Sequence, residues 1–343
     1  MELSHKQIES LKEMLAQPRL RIVILSHTNP DGDAVGSSLA WAEVLRARGH
    51  EVTCVVPNKY PYFLDWMPGI EEVVVFKTDT EGRAVKAIAE ADVLFCLDFN
   101  AVSRLEILSE TIQGNTTARR VLIDHHLQPD EGFDIVFSHP ESSSTCFLVY
   151  CLVEAMYGTG AITRRMGELL YVGMMTDTGN FAFSHLTPEL FRAVAVLLEK
   201  GISIPEIHNS VYNAYTEGRA RLFGYAINRK MALIEDGTVA YMSLLESEMR
   251  RFQFQQGDSE GFVNYALTIK KVKMSAMFLA HRKFIRISLR SRGNVDVNLF
   301  ARKYFNGGGH RNAAGGKSFM TMRETIEHFK RSVAEFAAQG GLD

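Results

Sequence analysis

The sequence of 343 residues contains few cysteines, few prolines and no long apolar run. Its 4 cysteines form no CxxC pair and have apolar neighbours, which argues against a disulfide framework or a cysteine zinc site and favours buried reduced thiols. No run approaches the roughly 18 apolar residues of a membrane span, and charged Glu2, Lys6 and Glu9 stand where a signal peptide would be apolar. We therefore expect a cytoplasmic protein without a membrane partner.

The composition also lacks an excess of one charge, since the formal net charge is -2 and the pI is near 6.6. That balance argues against strong non-specific affinity for long nucleic acid, duplexes included. A hydrophobic content of 46% excludes a disordered chain, and the length is too great for one ordinary core. Two domains of common size are expected.

The two signs of charge are unevenly distributed along the chain. Residues 219–317 contain 18 Lys and Arg against 7 Asp and Glu, so this segment is basic and the remainder is acidic. An acidic part joined to a basic part suggests a site where cation-binding groups meet an anionic ligand, although two unrelated solvated surfaces would give the same counts.

Residues 1–202 alternate short apolar runs with helical patterns, as βαβ units do. The predicted strands are Arg21–Leu25, Glu51–Val56, Val73–Phe76, Asp92–Leu97 and Arg120–Ile123, and the predicted helices are Val35–Arg48, Ser144–Tyr157, Arg164–Met175 and Pro188–Glu199. This order predicts an α/β domain in which helices flank a parallel sheet.

Residues 203–221 have mixed polar composition and are interpreted as a linker that is partly helical. Residues 222–343 change pattern and predict a smaller α+β domain. Its predicted elements are a hairpin that turns at Asp236–Gly237, strands over Ser275–Leu279 and Phe284–Leu289, and helices over Val297–Phe305 and Glu324–Ala337, with the glycine-rich segment Asn306–Gly316 between these helices.

The loop after the first predicted strand holds the densest group of potential ligands, in the segment SHTNPDGDAVGS. His27, Asp31 and Asp33 lie close together there, and the bends expected at Pro30 and Gly32 allow all three side chains to point to one place.

Further acids and histidines follow other predicted elements. Asp98 ends the fourth strand, Asp124, His125 and His126 end the fifth, and Asp177 follows a helix. Ligands of open α/β sheets bind outside the carboxyl ends of the strands, so these groups are expected to meet the loop after the first strand.

Taken singly, these residues have simpler explanations, because Asp31, Asp33 or Asp98 could cap a helix and His125 could be a core histidine. Taken together, so many carboxylates at one edge repel one another unless cations intervene. An oxygen-rich set with imidazole and no sulfur suits manganese or magnesium better than structural zinc. The number of ligands fits two ions about 3.5 to 4 Å apart, the spacing of two-metal hydrolases.

These segments, in this order and together with the late GGGHRNAAGG, resemble the motifs of the DHH phosphoesterase family and its DHH-associated carboxyl-terminal domain. The resemblance covers nearly the whole chain. Within the family it is to the two-domain type that degrades very short oligonucleotides and removes phosphate from 3'-phosphoadenosine 5'-phosphate. Two divalent ions are implied, with Mn²⁺ preferred and Mg²⁺ or Co²⁺ as alternatives.

The resemblance implies a role for each candidate ligand. One ion would be held by His27 and Asp31, the other by Asp33, His125 and Asp177, with Asp98 as the bridge. It further implies that Asp124 orients a neighbouring imidazole and that His126 points toward the substrate phosphate.

The second domain carries the predicted substrate contacts. Gly307, Gly308 and Gly309 would let backbone N–H groups approach a phosphate, and His310 adds charge beside them. Arg290 ends a predicted strand in a segment that the resemblance places at the substrate cleft, although a surface ion pair is the alternative.

The expected function is metal-dependent hydrolysis of short oligonucleotides or nucleotides, and a homodimer is considered possible. Two other enzymatic functions stay open, namely hydrolysis of pyrophosphate or polyphosphate and cleavage of cyclic dinucleotides. A nucleotide-sensing module with a purely structural metal centre is the alternative from a different class.

Overall fold

The computed structural model describes residues 3–182 and 185–343 and divides into two compact units, Met1–Ala214 and Tyr215–Asp343. The strands are β1 Arg21–Leu25, β2 Glu51–Val56, β3 Val74–Val75, β4 Val93–Leu97, β5 Arg119–Asp124, β6 Ile135–Ser138, β7 Ala232–Ile234, β8 Val239–Leu244, β9 Met274–His281, β10 Phe284–Ser291, β11 Gly308–His310 and β12 Ala313–Ser318. The helices are α1 His5–Leu15, α2 Gly32–Arg46, α3 Arg83–Glu90, α4 Ser109–Gly114, α5 Thr145–Tyr157, α6 Arg164–Asp177, α7 Pro188–Glu199, α8 Ile204–Tyr212, α9 Glu217–Tyr225, α10 Glu246–Arg251, α11 Phe262–Tyr265, α12 Val297–Phe305 and α13 Met322–Ala338.

The first unit contains a six-stranded parallel sheet in the order β3-β2-β1-β4-β5-β6. The order reverses between β1 and β4, which are hydrogen-bonded neighbours. In a doubly wound sheet this reversal opens a crevice at the carboxyl ends of the two central strands, where ligands bind. The predicted α/β class is confirmed.

Helices cover both faces of this sheet because its central strands are apolar on both sides. Val23 and Leu25 of β1 pack with α3 and α4 on one face. On the other face α2 is buried along most of its length, and Trp41 meets Phe95 of β4 edge-on. Helices α2, α5 and α6 pack against one another there.

The second unit contains a six-stranded mixed sheet in the order β11-β12-β10-β9-β8-β7, in which β8 and β9 are parallel and the other pairs antiparallel. Apolar clusters lie on both faces, one built with α12 and α13 and the other with α9, α10 and α11. The predicted α+β character of this part is confirmed.

Residues 203–221 include α8 and the first half of α9. The predicted domain limits at 202 and 222 stay predictions. No helix in the described part of the chain has both the length and the apolar character that crossing a membrane would require.

Candidate metal centre

The loop between β1 and α2 folds around the N-terminus of that helix. Asp31 is the N-cap, and its Oδ1 accepts hydrogen bonds from the amides of Asp33 and Ala34 at 3.0 and 3.1 Å. The carboxylate also lies with His27 and Asp98 in a group whose potential ligand atoms are all within 4.8 Å of one another. Capping the helix therefore places Asp31 beside its metal-ligating candidates rather than competing with that role.

The two buried imidazoles of His27 and His125 present the same nitrogen to the carboxylates. Nδ1 of His27 is 2.9 Å from the carbonyl oxygen of Thr28, and Nδ1 of His125 is 3.3 Å from that of Ser142. Because a carbonyl only accepts hydrogen bonds, Nδ1 is the donor in each ring. Nε2 is then the nitrogen available for a metal, as in other sites where the second ring nitrogen fixes the orientation.

Asp98 lies between these two imidazoles. Its Oδ2 is 3.4 Å from Nε2 of His27, and its Oδ1 is 3.5 Å from Nε2 of His125. Thr145 Oγ1 donates to Oδ1 at 3.0 Å. Asp98 has a φ of 64°, an uncommon value for a residue with a side chain, and its N–H donates to the carbonyl of Ile123 at 3.1 Å. The turn after β4 thus aims one carboxylate oxygen at each histidine.

Asp33 is fully buried in the first turn of α2 and is fixed by a different helix. Its two oxygens accept from the amides of Thr145 and Cys146 at 2.7 and 2.8 Å, which belong to the first turn of α5. The unpaired amides and positive end of a helix stabilise an anion at this position. Oδ2 of Asp33 lies 3.7 Å from Nε2 of His125.

Asp177 completes a second group with Asp33 and His125, and it is the last residue of α6 rather than a residue beyond the helix. Its Oδ2 is 3.2 Å from Nε2 of His125. Gly173, one turn earlier on α6, allows this approach, because a Cβ there would overlap Sγ of Cys146 and Oδ1 of Asp33.

Asp124 holds the ring of His126. Its Oδ1 accepts from Nδ1 of His126 at 2.7 Å, and its Oδ2 accepts from the backbone N–H of the same residue at 3.0 Å. Asp124 is fully buried at the end of β5, and these two bonds fix the orientation of the His126 ring.

The electrostatics of the cluster reflect carboxylates that are buried together. Burial, followed by the charges of neighbouring carboxylates, raises the pKa of Asp33 and of Asp98 well above the usual range. Burial also raises the pKa of Asp177. Burial by itself would lower the pKa of His125. The hydrogen bond and charge of Asp177, together with the charges of Asp33 and Asp98, outweigh burial and hold the pKa well above its usual value. A positive charge is therefore favoured where these carboxylates meet, and a divalent cation would supply it.

The residues present fit a pair of divalent cations. The first group offers His27, Asp31 and Asp98, the second offers Asp33, His125 and Asp177, and no cysteine belongs to either among the described residues. Carboxylate oxygens with imidazole nitrogen suit Mn²⁺, Mg²⁺ or Co²⁺. The division into groups matches the roles that the family resemblance implies, and those roles stay predictions.

The predicted substrate contacts lie in the second unit. Ala313 of β12 is opposite both Arg290 of β10 and His310 of β11, so these two side chains share a row on one face of the sheet. Nη1 of Arg290 donates to the carbonyl of Leu289 at 3.0 Å. Arg290 and His310 can therefore contact one anionic ligand from neighbouring positions.

Two of the three glycines, Gly307 and Gly309, have a structural role that the sequence did not indicate. Gly307 N–H donates to Ala301 O at 3.1 Å and Gly309 N–H donates to Asn298 Oδ1 at 3.0 Å, so these two amides are engaged within the chain. A Cβ at Gly307 would overlap the carbonyl of Gly315, and Gly309 has a φ of 148°. The close pairing of β11 with β12 requires glycine here, and phosphate binding by Gly307, Gly308 and Gly309 stays a prediction.

Comparison with known proteins identifies the family. A model described as the DHH family, N-terminal domain, matches residues 21–174, and a model described as the DHHA1 domain matches residues 236–339. A crystal structure of an exopolyphosphatase-related protein from Bacteroides fragilis is 40% identical with a TM-score of 0.90, covering 97% of each chain. The chain belongs to the DHH family.

Two curated members of the DHH family are similar over most of their length. The bifunctional oligoribonuclease and PAP phosphatase NrnA of Thermus thermophilus is 28% identical over 98% of this chain and 96% of its own. The protein of the same name from Bacillus subtilis is 26% identical over 87% of this chain and 89% of its own. The resemblance that the sequence motifs indicated is confirmed.

Several residues that shape the centre of this DHH-family chain were not identified from the sequence. They are Thr145 and the amide of Cys146, which hold Asp98 and Asp33, the carbonyl of Ser142, and Gly173. The predicted helix start at Ser144 was the available signal, because a helix N-terminus is an anion site. The sequence did not show that Asp33 would occupy this N-terminus, because Asp33 and Thr145 are more than a hundred positions apart.

Proposed function

We propose that this DHH-family chain hydrolyses very short oligonucleotides and removes phosphate from 3'-phosphoadenosine 5'-phosphate in a metal-dependent reaction. The chain is a phosphoric ester hydrolase, and the proposal concerns its substrate and the ions it uses. The substrate is inferred from the two NrnA relatives, whose names describe an oligoribonuclease and a PAP phosphatase.

The observation that carries the proposal is the position of Asp98. Each of its oxygens faces one imidazole, and each imidazole belongs to a separate group of ligands. A carboxylate in that position favours two cations in one site over a single ion. Two cations, when bound, would polarise the phosphoryl oxygens and lower the pKa of a water molecule so that it attacks phosphorus at neutral pH.

The remaining side chains orient the ligands and the substrate. The first turn of α5 holds Asp33, and the carbonyls of Thr28 and Ser142 hold the two imidazoles. Burial and the neighbouring charge of His125 lower the pKa of His126 well below its usual value, which favours the neutral ring. With Nδ1 donating to Asp124, the Nε2 atom of a neutral His126 is an acceptor that would take the proton lost by the attacking water and return it to the leaving oxygen as the P–O bond breaks.

Hydrolysis of polyphosphate is the second candidate, because the 40% identical crystal structure is described as exopolyphosphatase-related. The GGGH segment, which belongs to the motifs that resemble the nucleotide-cleaving members of the family, supports nucleotide substrates over inorganic ones. A purely sensing role has less support, since the predicted ligand set is complete. Cleavage of cyclic dinucleotides stays an alternative, which the substrate panel tests.

The deciding experiment is a substrate panel assayed with Mn²⁺, Mg²⁺ and Co²⁺ and again after chelation. The panel comprises the dinucleotide pApA, a 24-residue RNA, 3'-phosphoadenosine 5'-phosphate, cyclic di-AMP and polyphosphate. We expect kcat/KM for pApA to exceed that for the long RNA at least about tenfold, because a near-neutral pI provides little long-range attraction. Preferential release of phosphate from polyphosphate would support the second candidate, and no turnover with any metal would support the sensing role.

Cytoplasmic location and homodimer formation stay predictions.

A further inference from the structure

The segment that follows Asp98 is tied to the loops on both sides of it. Asn100 Nδ2 donates to the carbonyls of Leu127 and Gln128 at 2.8 and 3.1 Å, in the loop after His126. On the other side, the N–H of Thr28 donates to the carbonyl of Arg104 at 2.9 Å. Arg104 is therefore fixed beside the residue that follows His27, on a segment that reaches from the β1 loop to the β5 loop.

Arg104, in the segment after β4, differs from the arginines at the other end of the sheet in having no carboxylate beside it among the residues that the structure describes. At the opposite ends of the strands, Arg21 pairs with Asp92 at 3.1 Å and Arg119 pairs with Asp134 at 2.9 Å. Within the described ranges Arg104 has no carboxylate partner within 4.0 Å, although its side chain is half-buried. A half-buried cation without a carboxylate partner is available for an anion that is not part of the chain.

The charge of Arg104 acts on two histidines of the centre. Burial is the largest cause of the lowered pKa of both His27 and His126, and the charge of Arg104 acts in the same direction on each. The guanidinium thus lies near both the first ligand group and the histidine predicted to face the substrate.

A charge count shows why a phosphate at this centre needs such a group. The four carboxylates of Asp31, Asp33, Asp98 and Asp177 would offset the charge of two divalent ions. The negative charge of the substrate phosphate would then have no counter-charge from the metal ligands. A guanidinium supplies that charge and donates to two phosphate oxygens at once, which a lysine ammonium does less well.

We propose that Arg104 is a further substrate-binding residue, whose guanidinium donates to the non-bridging oxygens of a phosphate held at the metal centre. The proposal rests on the proposed phosphoesterase function. It assigns to the first unit a phosphate contact in addition to those predicted for Arg290 and His310.

The test compares the full-length Mn²⁺-loaded protein with Arg104→Ala, Arg104→Met and Arg104→Lys. The methionine variant keeps most of the apolar stem, so loss of charge is separated from loss of packing. Arg119→Ala, which removes a paired arginine at the other end of the sheet, is the matched control. Measurements are Mn²⁺ content, melting temperature, kcat/KM for pApA, and the affinity for AMP by calorimetry.

We expect Arg104→Ala and Arg104→Met to lose about tenfold to a hundredfold in kcat/KM and about tenfold in AMP affinity, with Mn²⁺ content unchanged. Arg104→Lys should recover part of both losses, and Arg119→Ala should match the wild type. Values within twofold of the wild type for Arg104→Met, or loss of Mn²⁺ from that variant, would overturn the proposal. If the wild-type protein hydrolyses no phosphate ester, the proposed function fails, and AMP affinity still decides whether Arg104 binds phosphate.

Discussion

A carboxylate that leaves water destabilises the folded state unless hydrogen bonds or cations replace its hydration, and Asp33 and Asp98 show two solutions. Asp33 receives two helix amides, whereas Asp98 receives one hydroxyl and lies between two imidazoles. Both keep a raised pKa, because burial and the neighbouring carboxylates outweigh these contacts. The uncompensated charges make this centre unfavourable, and a bound cation would stabilise it.

Replacing Asp98 by Asn separates the function of this residue from its contribution to folding. The amide retains the size and an acceptor for Thr145 but removes a charge that is repelled by Asp31 and Asp177. We expect kcat for pApA to fall about a hundredfold or more, while the metal-free melting temperature stays equal or rises. The rise in melting temperature that Mn²⁺ produces should be largely lost.

The control for this variant is Asp92→Asn at the other end of β4, where the carboxylate accepts from the backbone and side chain of Arg21. That change should lower stability and leave kcat unaltered. Retention of more than about a tenth of the wild-type rate by Asp98→Asn would contradict a bridging role.

At the scale of elements, the centre depends on close contact among α2, α5 and α6. Gly173 of α6 faces Sγ of Cys146 and Oδ1 of Asp33, and Gly36 of α2 faces the carbonyl of Leu169. Glycine lowers helix propensity, so its presence inside two buried helices reflects the lack of space for a methyl group. Asp33 and Asp177 meet the same imidazole because these helices approach so closely.

Adding one methyl group at Gly173 tests this contact. Gly173→Ala should lower the free energy of unfolding by about 1–3 kcal/mol and weaken Mn²⁺ binding, since α6 must move away from Asp33. Gly224→Ala is the matched control, because Gly224 lies in α9 with no atom near its Cβ position, and alanine there should be neutral or stabilising. Denaturant unfolding and Mn²⁺ titration measure both effects. Equal stability of the two variants would show that α6 tolerates a larger separation.

The elements that sequence patterns predicted are those with continuous apolar runs or with the apolar periodicity of a helix. β1 and β2 have the predicted limits, and α12 matches its prediction over Val297–Phe305. β6 was missed because it is a four-residue strand at the sheet edge, and β11 and β12 were missed because their glycine-rich sequence has low strand propensity. β12 forms through pairing with β10, and β11 forms through pairing with β12, which no local pattern reveals.

For the site too, features that depend on local sequence were predicted, and features that depend on contacts between distant residues were not. The ends of β1, β4 and β5 could be grouped from the sequence, because parallel strands that alternate with helices place their carboxyl ends together. The contacts of Asp33 with α5 and the place of Gly173 beside it could not, since they depend on how three helices pack. Sequence patterns indicate which residues share an edge, and side-chain packing decides which atoms meet.

At the scale of the whole molecule, the two units have separate apolar cores, and all six predicted metal ligands belong to the first. A ligand stabilises the structure that binds it and the regions that must unfold with it. Bound Mn²⁺ should therefore protect the backbone around its ligands and leave the core strands of the second unit nearly unchanged.

Hydrogen exchange with and without Mn²⁺ measures this directly. We expect slower exchange in the segments at 26–34, 98–104 and 122–126 and at the end of α6, where the ligands lie, because opening these segments would release the ion. β9, a central strand of the second sheet, should exchange at the same rate in both conditions. Asp98→Asn provides the control, since Mn²⁺ should give it little added protection. Equal protection of β9 and of the β1 loop in the wild type would show that the second unit also responds to the metal, in conflict with a centre built by the first unit alone.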